Sequence, residues 1–296
     1  MTPRSVALLS PGDMGQAVAA LLITGGVRVV TCLQGRSERT RALARAVGIA
    51  EAPDLETLMR GTEMVLSIVP PAQAVSVARD VSNALRASGA RTVYVDCNAV
   101  SPARVREVAS LIAPTGSGFV DAGIIGGPPR GAPSPRFYAS GPDRARLAEL
   151  VPAGLDVVTL GPEVGEASAV KMCYAALTKG TTAIATELLV AARKLGVYDT
   201  ILAELRGSPS LFARTQGVAS MPGKAHRWIV EMEEIARTFA EVGLTPLIFE
   251  GAAEMYRLTA GSEIGGERPE TVDRARGLDR TVAMLARASD TVPSTR

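Results

Sequence analysis

At 296 residues the chain is long enough for two domains, each with its own core. Hydrophobic residues make up 47% and charged residues 21%, and the formal net charge of +2 supplies no field that would gather nucleic acid or an acidic membrane. Aromatics at 4% also leave few platforms for stacking single-stranded bases.

In chain order, Ser5–Ser10, Arg28–Leu33, Met64–Val69, Thr92–Asp96, Gly118–Ala122 and Arg136–Ala139 read as strands. The first four are nearly continuous apolar runs, as in strands covered on both faces. Between them Gly15–Ile23, Glu38–Val47, Ala72–Arg86 and Pro102–Leu111 read as helices. This alternation predicts an α/β, doubly wound Rossmann sheet over residues 1–163, with an edge that can run antiparallel where the last strands lie close together. After Gly161-Pro162 the pattern turns wholly helical: one long run from about Glu166 to Leu195, then Thr200–Leu205, Ser210–Ala219, Lys224–Val242, Leu247–Leu258 and Arg274–Ala288. Residues 164–296 are therefore expected to be an all-α domain for substrate binding and dimerisation, ending in a frayed polar tail from Ser289 to Arg296.

Cys32, Cys97 and Cys173 are odd in number and sit in apolar runs, which predicts reduced core thiols. A single histidine, His226, and the lack of CxxC or HExxH spacing predict no transition-metal site. The first residues run straight into a strand and no apolar stretch reaches the ~18 residues of a membrane span, so a cytoplasmic location is expected.

Directly after the first strand come Ser10, Pro11, Gly12, Asp13, Met14 and Gly15, then a helix-forming run. This is the dinucleotide fingerprint GxGxxG with serine first. A pyrophosphate needs a tight turn, a side-chain-free approach and backbone N–H groups at a helix N-terminus. Gly12 and Gly15 still supply the second and third glycines. At the end of the second strand an NAD site usually carries a carboxylate, whereas this chain has Arg36 followed by Ser37. A guanidinium there pairs with a 2′-phosphate, so NADP is expected over NAD, with NAD possible. Glu38 is placed to favour the first turn of the next helix rather than a ribose.

On the long helix Ser168, Lys171, Tyr174, Thr178 and Thr182 fall on one face by steps of three and four. Val170, Cys173, Leu177, Ile184 and Leu188 form the opposite, apolar stripe. A polar stripe on so apolar a helix predicts a cleft wall, where a partly desolvated Lys171 is either a general acid/base or a structural, snorkelling lysine. Tyr174 is the proton donor that an imine reductase on this helix would use. Lys179 is the rival lysine on the same helix.

These motifs together resemble the β-hydroxyacid dehydrogenase superfamily, which includes 6-phosphogluconate and 3-hydroxyisobutyrate dehydrogenases, and the resemblance covers nearly the whole chain. Ser10–Gly15 is similar to that family's GLGxMG, and Arg36-Ser37 to the N-R-S/T of its NADP-using members. Val69-Pro70 resembles the strand-end proline dipeptide beside the nicotinamide, and Asp96–Pro102, with Asn98, resembles D-x-S-T-x-S-P. Asp121–Gly127 is similar to the substrate-binding D-A-P-V-S-G-G, which implies substrate contacts for Gly126 and Gly127. Gly165–Lys171 resembles G-x-x-x-x-x-K, which implies that Lys171 is the catalytic lysine. The departures are Ala99 for threonine, Ile125 for serine, Ala175 for the substrate-binding asparagine, and Glu231 for a basic residue. Together they speak against a simple small hydroxy acid held by its carboxylate.

The resemblance implies hydride transfer between NADP and a β-hydroxy acid or related alcohol, with Lys171 as general acid/base. Thr178 on the polar stripe and Glu231, by its departure from the family, are the further candidates for contact with a substrate that can then be amino-bearing. Glu231, with Glu234, would meet a cationic substrate group; the other reading makes both solvated helix carboxylates. Imine reduction on the same architecture and a non-catalytic NADP(H)-binding sensor are the competing functions. A homodimer through the helical half is expected, with the active site between the domains and no nucleic-acid or membrane partner.

Overall fold

The computed structural model describes residues 2–130, 134–268, 271–273 and 275–290. It divides into two compact units, Met1–Met172 and Cys173–Arg296. The boundary expected near residue 163 lies in a loop; the chain divides between Met172 and Cys173, nine residues further on.

The first unit is built on one eight-stranded sheet. Its strands are β1 (Ser5–Leu9), β2 (Arg28–Cys32), β3 (Ala50–Ala52), β4 (Met64–Ser67), β5 (Val93–Asp96), β6 (Gly118–Ile125), β7 (Arg136–Ser140) and β8 (Asp156–Thr159). The spatial order is β3-β2-β1-β4-β5-β6-β7-β8. The strands from β3 to β6 are parallel, β7 runs antiparallel to β6, and β8 is parallel to β7. Helices α1 (Asp13–Thr24), α2 (Glu38–Ala46), α3 (Leu55–Arg60), α4 (Ala74–Ser88) and α5 (Pro102–Ile112) make the crossovers. Side chains of a strand point alternately to either face, so each face carries its own core. Leu8, Leu66, Val95 and Val120 line one, and Leu9, Val65, Tyr94 and Phe119 the other.

The chain winds outward from β1 through β2 to β3, then returns to β4 on the other side of β1. That reversal opens a crevice at the carboxyl ends of β1 and β4, where open α/β sheets bind ligands. Two strands and one α-helix of this unit escape the sequence patterns. β3 has three residues and α3 six, each too short for a period to show. β8 is a four-residue edge strand with no fully buried position, so it lacks the apolar run that marked the others.

The second unit is helical, with no strand among its described residues. The long helix α6 (Glu166–Lys194) enters it, followed by α7 (Tyr198–Gly207), α8 (Pro209–Thr215), α9 (Gly217–Ser220), α10 (Pro222–Glu241), α11 (Leu247–Ala260) and α12 (Gly277–Asp290). The expected single run Ser210–Ala219 is two short helices. Ser289 and Asp290, expected in a frayed tail, are the last residues of α12; the rest of that tail and Arg274 lie outside the described residues. Among the described residues no helix is long and apolar enough to cross a membrane. Cys32 and Cys97 are buried as expected, but Cys173 is exposed because its face of α6 is not the packed one.

Candidate active site

The turn after β1 has the form a dinucleotide phosphate requires. The Gly12 N–H donates to the Ser10 carbonyl at 2.7 Å, and Gln16 N to Gly12 O at 2.9 Å starts α1. Ser10 holds φ at +55°, the left-handed region that a glycine adopts at little cost and other residues seldom do. The serine thus keeps the backbone path of the glycine it replaces. Gly15 faces Leu8 and the Ser10 carbonyl, which a Cβ there would meet at 3.5 and 3.6 Å, ordinary contact distance. Gly12 faces open space: the nearest atom to a Cβ there is 3.9 Å away. No side chain caps α1, which leaves the first N–H groups of this 12-residue helix for an anion. Pro11 is buried, Met14 packs on the core, and Asp13 pairs with Arg130 from beyond Gly126-Gly127. The residues present fit a pyrophosphate.

Arg36 follows β2 and is part-buried. The Ser37 hydroxyl accepts from Thr40 N at 3.3 Å and so caps α2, and its O–H remains able to donate. Glu38 lies in the first turn of α2, paired with Arg45.

Val69 and Pro70 follow β4 on the other side of the crevice. Asn98, expected at the cofactor, turns inward. Its carbonyl accepts from Val69 N at 2.7 Å, and its amide donates to Ser67 Oγ at 3.2 Å and to Asp96 Oδ2 at 3.0 Å. The bridge joins the ends of β4 and β5 and fixes the Val69 backbone. Burial pushes the Asp96 carboxyl up to about 7; the Asn98 N–H opposes this and the charge of neighbouring Asp121 adds to it.

Asp121, placed by its motif among substrate contacts, is fully buried. Its Oδ2 accepts from Gly165 N at 2.9 Å, Ser168 N at 3.1 Å and Ser140 Oγ at 3.0 Å; its Oδ1 accepts from Ser168 Oγ at 2.7 Å. Burial raises its pKa and these donors oppose the rise. Ser168 is therefore a buried anchor and not part of a cleft wall. Two residues along the strand a Cβ on Gly123 would lie 2.6 Å from Ala167 O and 3.1 Å from Lys171 Cβ, so α6 rests on β6 at this point. Gly126 (φ +126°) and Gly127 are exposed at the end of β6. Lys171 itself is part-buried.

Residues 5–152 match the NAD binding domain of 6-phosphogluconate dehydrogenase, and residues 192–259 match a domain of unknown function (DUF1932). The chain belongs to the β-hydroxyacid dehydrogenase superfamily. An uncharacterised 28.5 kDa protein of Methanothermus fervidus is 30% identical over 235 residues, 78% of this chain and 89% of its own. The 2-(hydroxymethyl)glutarate dehydrogenase of Eubacterium barkeri is 26% identical over 210 residues, 69% of each chain. A solved conserved protein of unknown function, described as structurally similar to 3-hydroxyacid dehydrogenases, is 33% identical with a TM-score of 0.65, covering 86% of this chain and 98% of its own. As a member of this superfamily the protein is an NAD(P)-dependent oxidoreductase.

In the helical unit of this dehydrogenase-like chain the stripes on α6 are not disposed as expected. Thr182 is buried, while Leu177 (68% exposed), Ile184 (61%) and Leu188 (42%) stand outward. The packed face carries Met172, Leu189 and Val190 together with the small residues Ala175, Ala176 and Ala183. Tyr174 is exposed, and Thr178, also exposed, donates to the Tyr174 carbonyl at 3.1 Å. Glu231 meets a cation of the protein's own: its carboxylate pairs with Lys179. Glu234 pairs likewise with Arg237. The expectation that both are solvated carboxylates also fails, since both are buried. The Lys179 ammonium lies 5.5 Å from the Trp228 ring centroid, and Tyr256 Oη donates to the Lys179 carbonyl at 2.6 Å. The Lys179–Glu231 pair joins two helices far apart in sequence and is legible only once both side chains are known to be buried.

Proposed function

We propose that this protein is an NADP-dependent oxidoreductase acting on a β-hydroxy acid or related alcohol, with Lys171 as general acid/base. The uncapped start of α1 at the sheet's switch point carries the reading. When bound there, the cofactor supplies a hydride acceptor or donor at C4 of its nicotinamide. The α1 N-terminus binds the phosphates, the Asn98 bridge orients the Val69 backbone, and Lys171 takes the hydroxyl proton in oxidation or returns it in reduction. Gly126 and Gly127 offer exposed backbone to the substrate. Tyr174 and Thr178, three and seven residues on from Lys171, share its side of the helix.

Arg36 supports NADP over NAD. No carboxylate stands between β2 and Arg36, and Glu38 is engaged by Arg45. A charge-assisted bond to a 2′-phosphate contributes about 1.5–3 kcal/mol, so Arg36→Ala should weaken NADPH binding on the order of 10–100-fold while NADH changes less than threefold. Fluorescence titration of both cofactors reads this; equal losses would exclude a 2′-phosphate contact. A panel of hydroxy acids, amino alcohols and cyclic imines, followed by nicotinamide absorbance, tests the chemistry. Turnover of hydroxy acids or alcohols supports the proposal. Turnover of imines alone, or NADPH binding with no turnover, replaces it by reductase or sensor.

The homodimer rests on the outward stripe of Leu177, Ile184 and Leu188, whose spacing puts all three on one side of α6. A second copy offers the same stripe, as a two-fold interface requires. Light scattering on the eluting wild type should give twice the chain mass, and Ile184→Glu should give the single mass. A monomeric wild type would end the proposal.

A further inference from the structure

The buried carboxylate of Asp121 is unusual in where its bonds go. It belongs to the middle of β6, yet three of its four donors belong to the segment that begins α6, more than forty residues later in the chain. A helix normally has its first N–H groups satisfied by a side chain of the residue just before it. In α6 that role falls to a strand. The preceding Gly165 sits at φ +114°, and a Cβ there would lie 2.9 Å from Arg106 Nη1 and 3.3 Å from Pro102 Cβ, so the entry to the helix is tightly bounded. Ser140, which lies opposite Asp121 in the β6–β7 register, completes the mount: its hydroxyl donates to Asp121 and accepts from Ala167 N at 3.1 Å.

Asp121 and Gly123 project to the same face of β6. Asp121 grips the backbone and the hydroxyl of Ser168, while Gly123 lets Ala167 and Lys171 descend onto the strand. Lys171 follows Ser168 by three residues, so the two are neighbours on the helix surface. We propose that Asp121 is the positioning residue of Lys171: gripping the first turn of α6 from the sheet, it sets the height and rotation from which the lysine ammonium projects. The proposal rests on Lys171 being the acid/base of the reaction. It assigns Asp121 a function through Lys171, with no contact to substrate.

A misplacement of about 1 Å can cost on the order of 100-fold in rate. Asp121→Asn, which loses acceptors for the N–H groups, should therefore lower kcat on the better panel substrate roughly 10–100-fold. NADPH dissociation should stay within twofold, because the phosphate turn is untouched. In a Lys171→Met background the same change should cause no further loss, since a residue that acts through another is silent once that other is gone. Equal losses in both backgrounds, or a folded Asp121→Asn with wild-type kcat, would overturn the proposal.

A second measurement needs no turnover. The chain has four lysines, Lys171, Lys179, Lys194 and Lys224, so 13C-dimethylation gives few signals, and Lys171→Arg identifies the one wanted. Asp121→Asn should move or broaden the Lys171 signal and leave that of Lys224 in place. An unmoved Lys171 signal refutes the mount. If Asp121→Asn fails to fold, Ser168→Ala keeps both backbone donors and should move the same signal; an unchanged signal there refutes it equally. Full kcat in Lys171→Met would remove the catalytic reading alone, and the signal would still decide whether Asp121 sets the lysine's position.

Discussion

Replacing Lys171 by methionine is expected to lower kcat by about 10²–10⁴-fold, the range a positioned general acid/base contributes. Methionine keeps an apolar stem of similar reach and removes only the titrating group, so NADPH affinity should stay near wild type. The loss should appear in kcat and kcat/KM together, because a proton transfer is felt in the transition state and not in the ground-state complex. Tyr174→Phe provides the comparison. Tyr174 is three residues further on, is exposed, and carries a hydroxyl that could act as donor. If phenylalanine at 174 costs more than methionine at 171, the proton belongs to the tyrosine and the chemistry moves toward imine reduction. Steady-state rates of the two variants on one substrate separate these outcomes.

The other lysine of interest on α6 should behave oppositely. Lys179→Met or Glu231→Gln is expected to lower unfolding free energy by about 3–5 kcal/mol, the cost of breaking a buried ion pair from one side. The side chains are 14% and 9% exposed, so little water is available to replace the missing partner. The neighbouring Trp228 face adds a cation–π contact that only the lysine can use. Replacing both members by apolar residues should cost much less than the sum of the single changes, because no charge is then left buried alone. Urea unfolding of the two single variants and the double variant reads this directly. Glu231→Gln should also leave KM unchanged for every accepted substrate, because the cation it serves is Lys179. A KM change confined to amino-bearing substrates would return Glu231 to the substrate site.

Most of the first unit could be read from the chain. Continuous apolar runs marked β1, β2, β4 and β5, and the turn residues after β1 placed the phosphate site, because each signal is local and repeats over several residues. The reading failed where an element was too short to show a period, as at β3 and α3. It also failed where side chains of known type found distant partners. Asn98 was assigned to the cofactor and instead ties Val69 to Asp96. Ser168 is expected on a cleft wall and instead anchors on Asp121, 47 residues away. Neither expected stripe of α6 is uniformly covered or open: Ser168 and Thr182 are buried while Tyr174 and Thr178 are exposed beside Leu177, so polarity is a poor guide to which side packs. The packed side mixes alanines, threonines that bond back to their own helix, and Met172, Leu189 and Val190, while Leu177, Ile184 and Leu188 face outward.

The sequence by itself determined the order of strands and helices, the change to an all-helical second half, the phosphate-binding turn and the lysine helix. These depend on propensity, spacing and turn chemistry within a dozen residues. Only the tertiary structure decided that Asp121 holds the start of α6, that Glu231 belongs to Lys179, and that Leu177, Ile184 and Leu188 stand outward. The physical reason is common to all three. A buried carboxylate must find donors or a cation wherever the fold brings them, and the lysine for Glu231 lies 52 residues away in sequence. Which face of a helix is covered depends on what packs there, and no period within the helix itself can say.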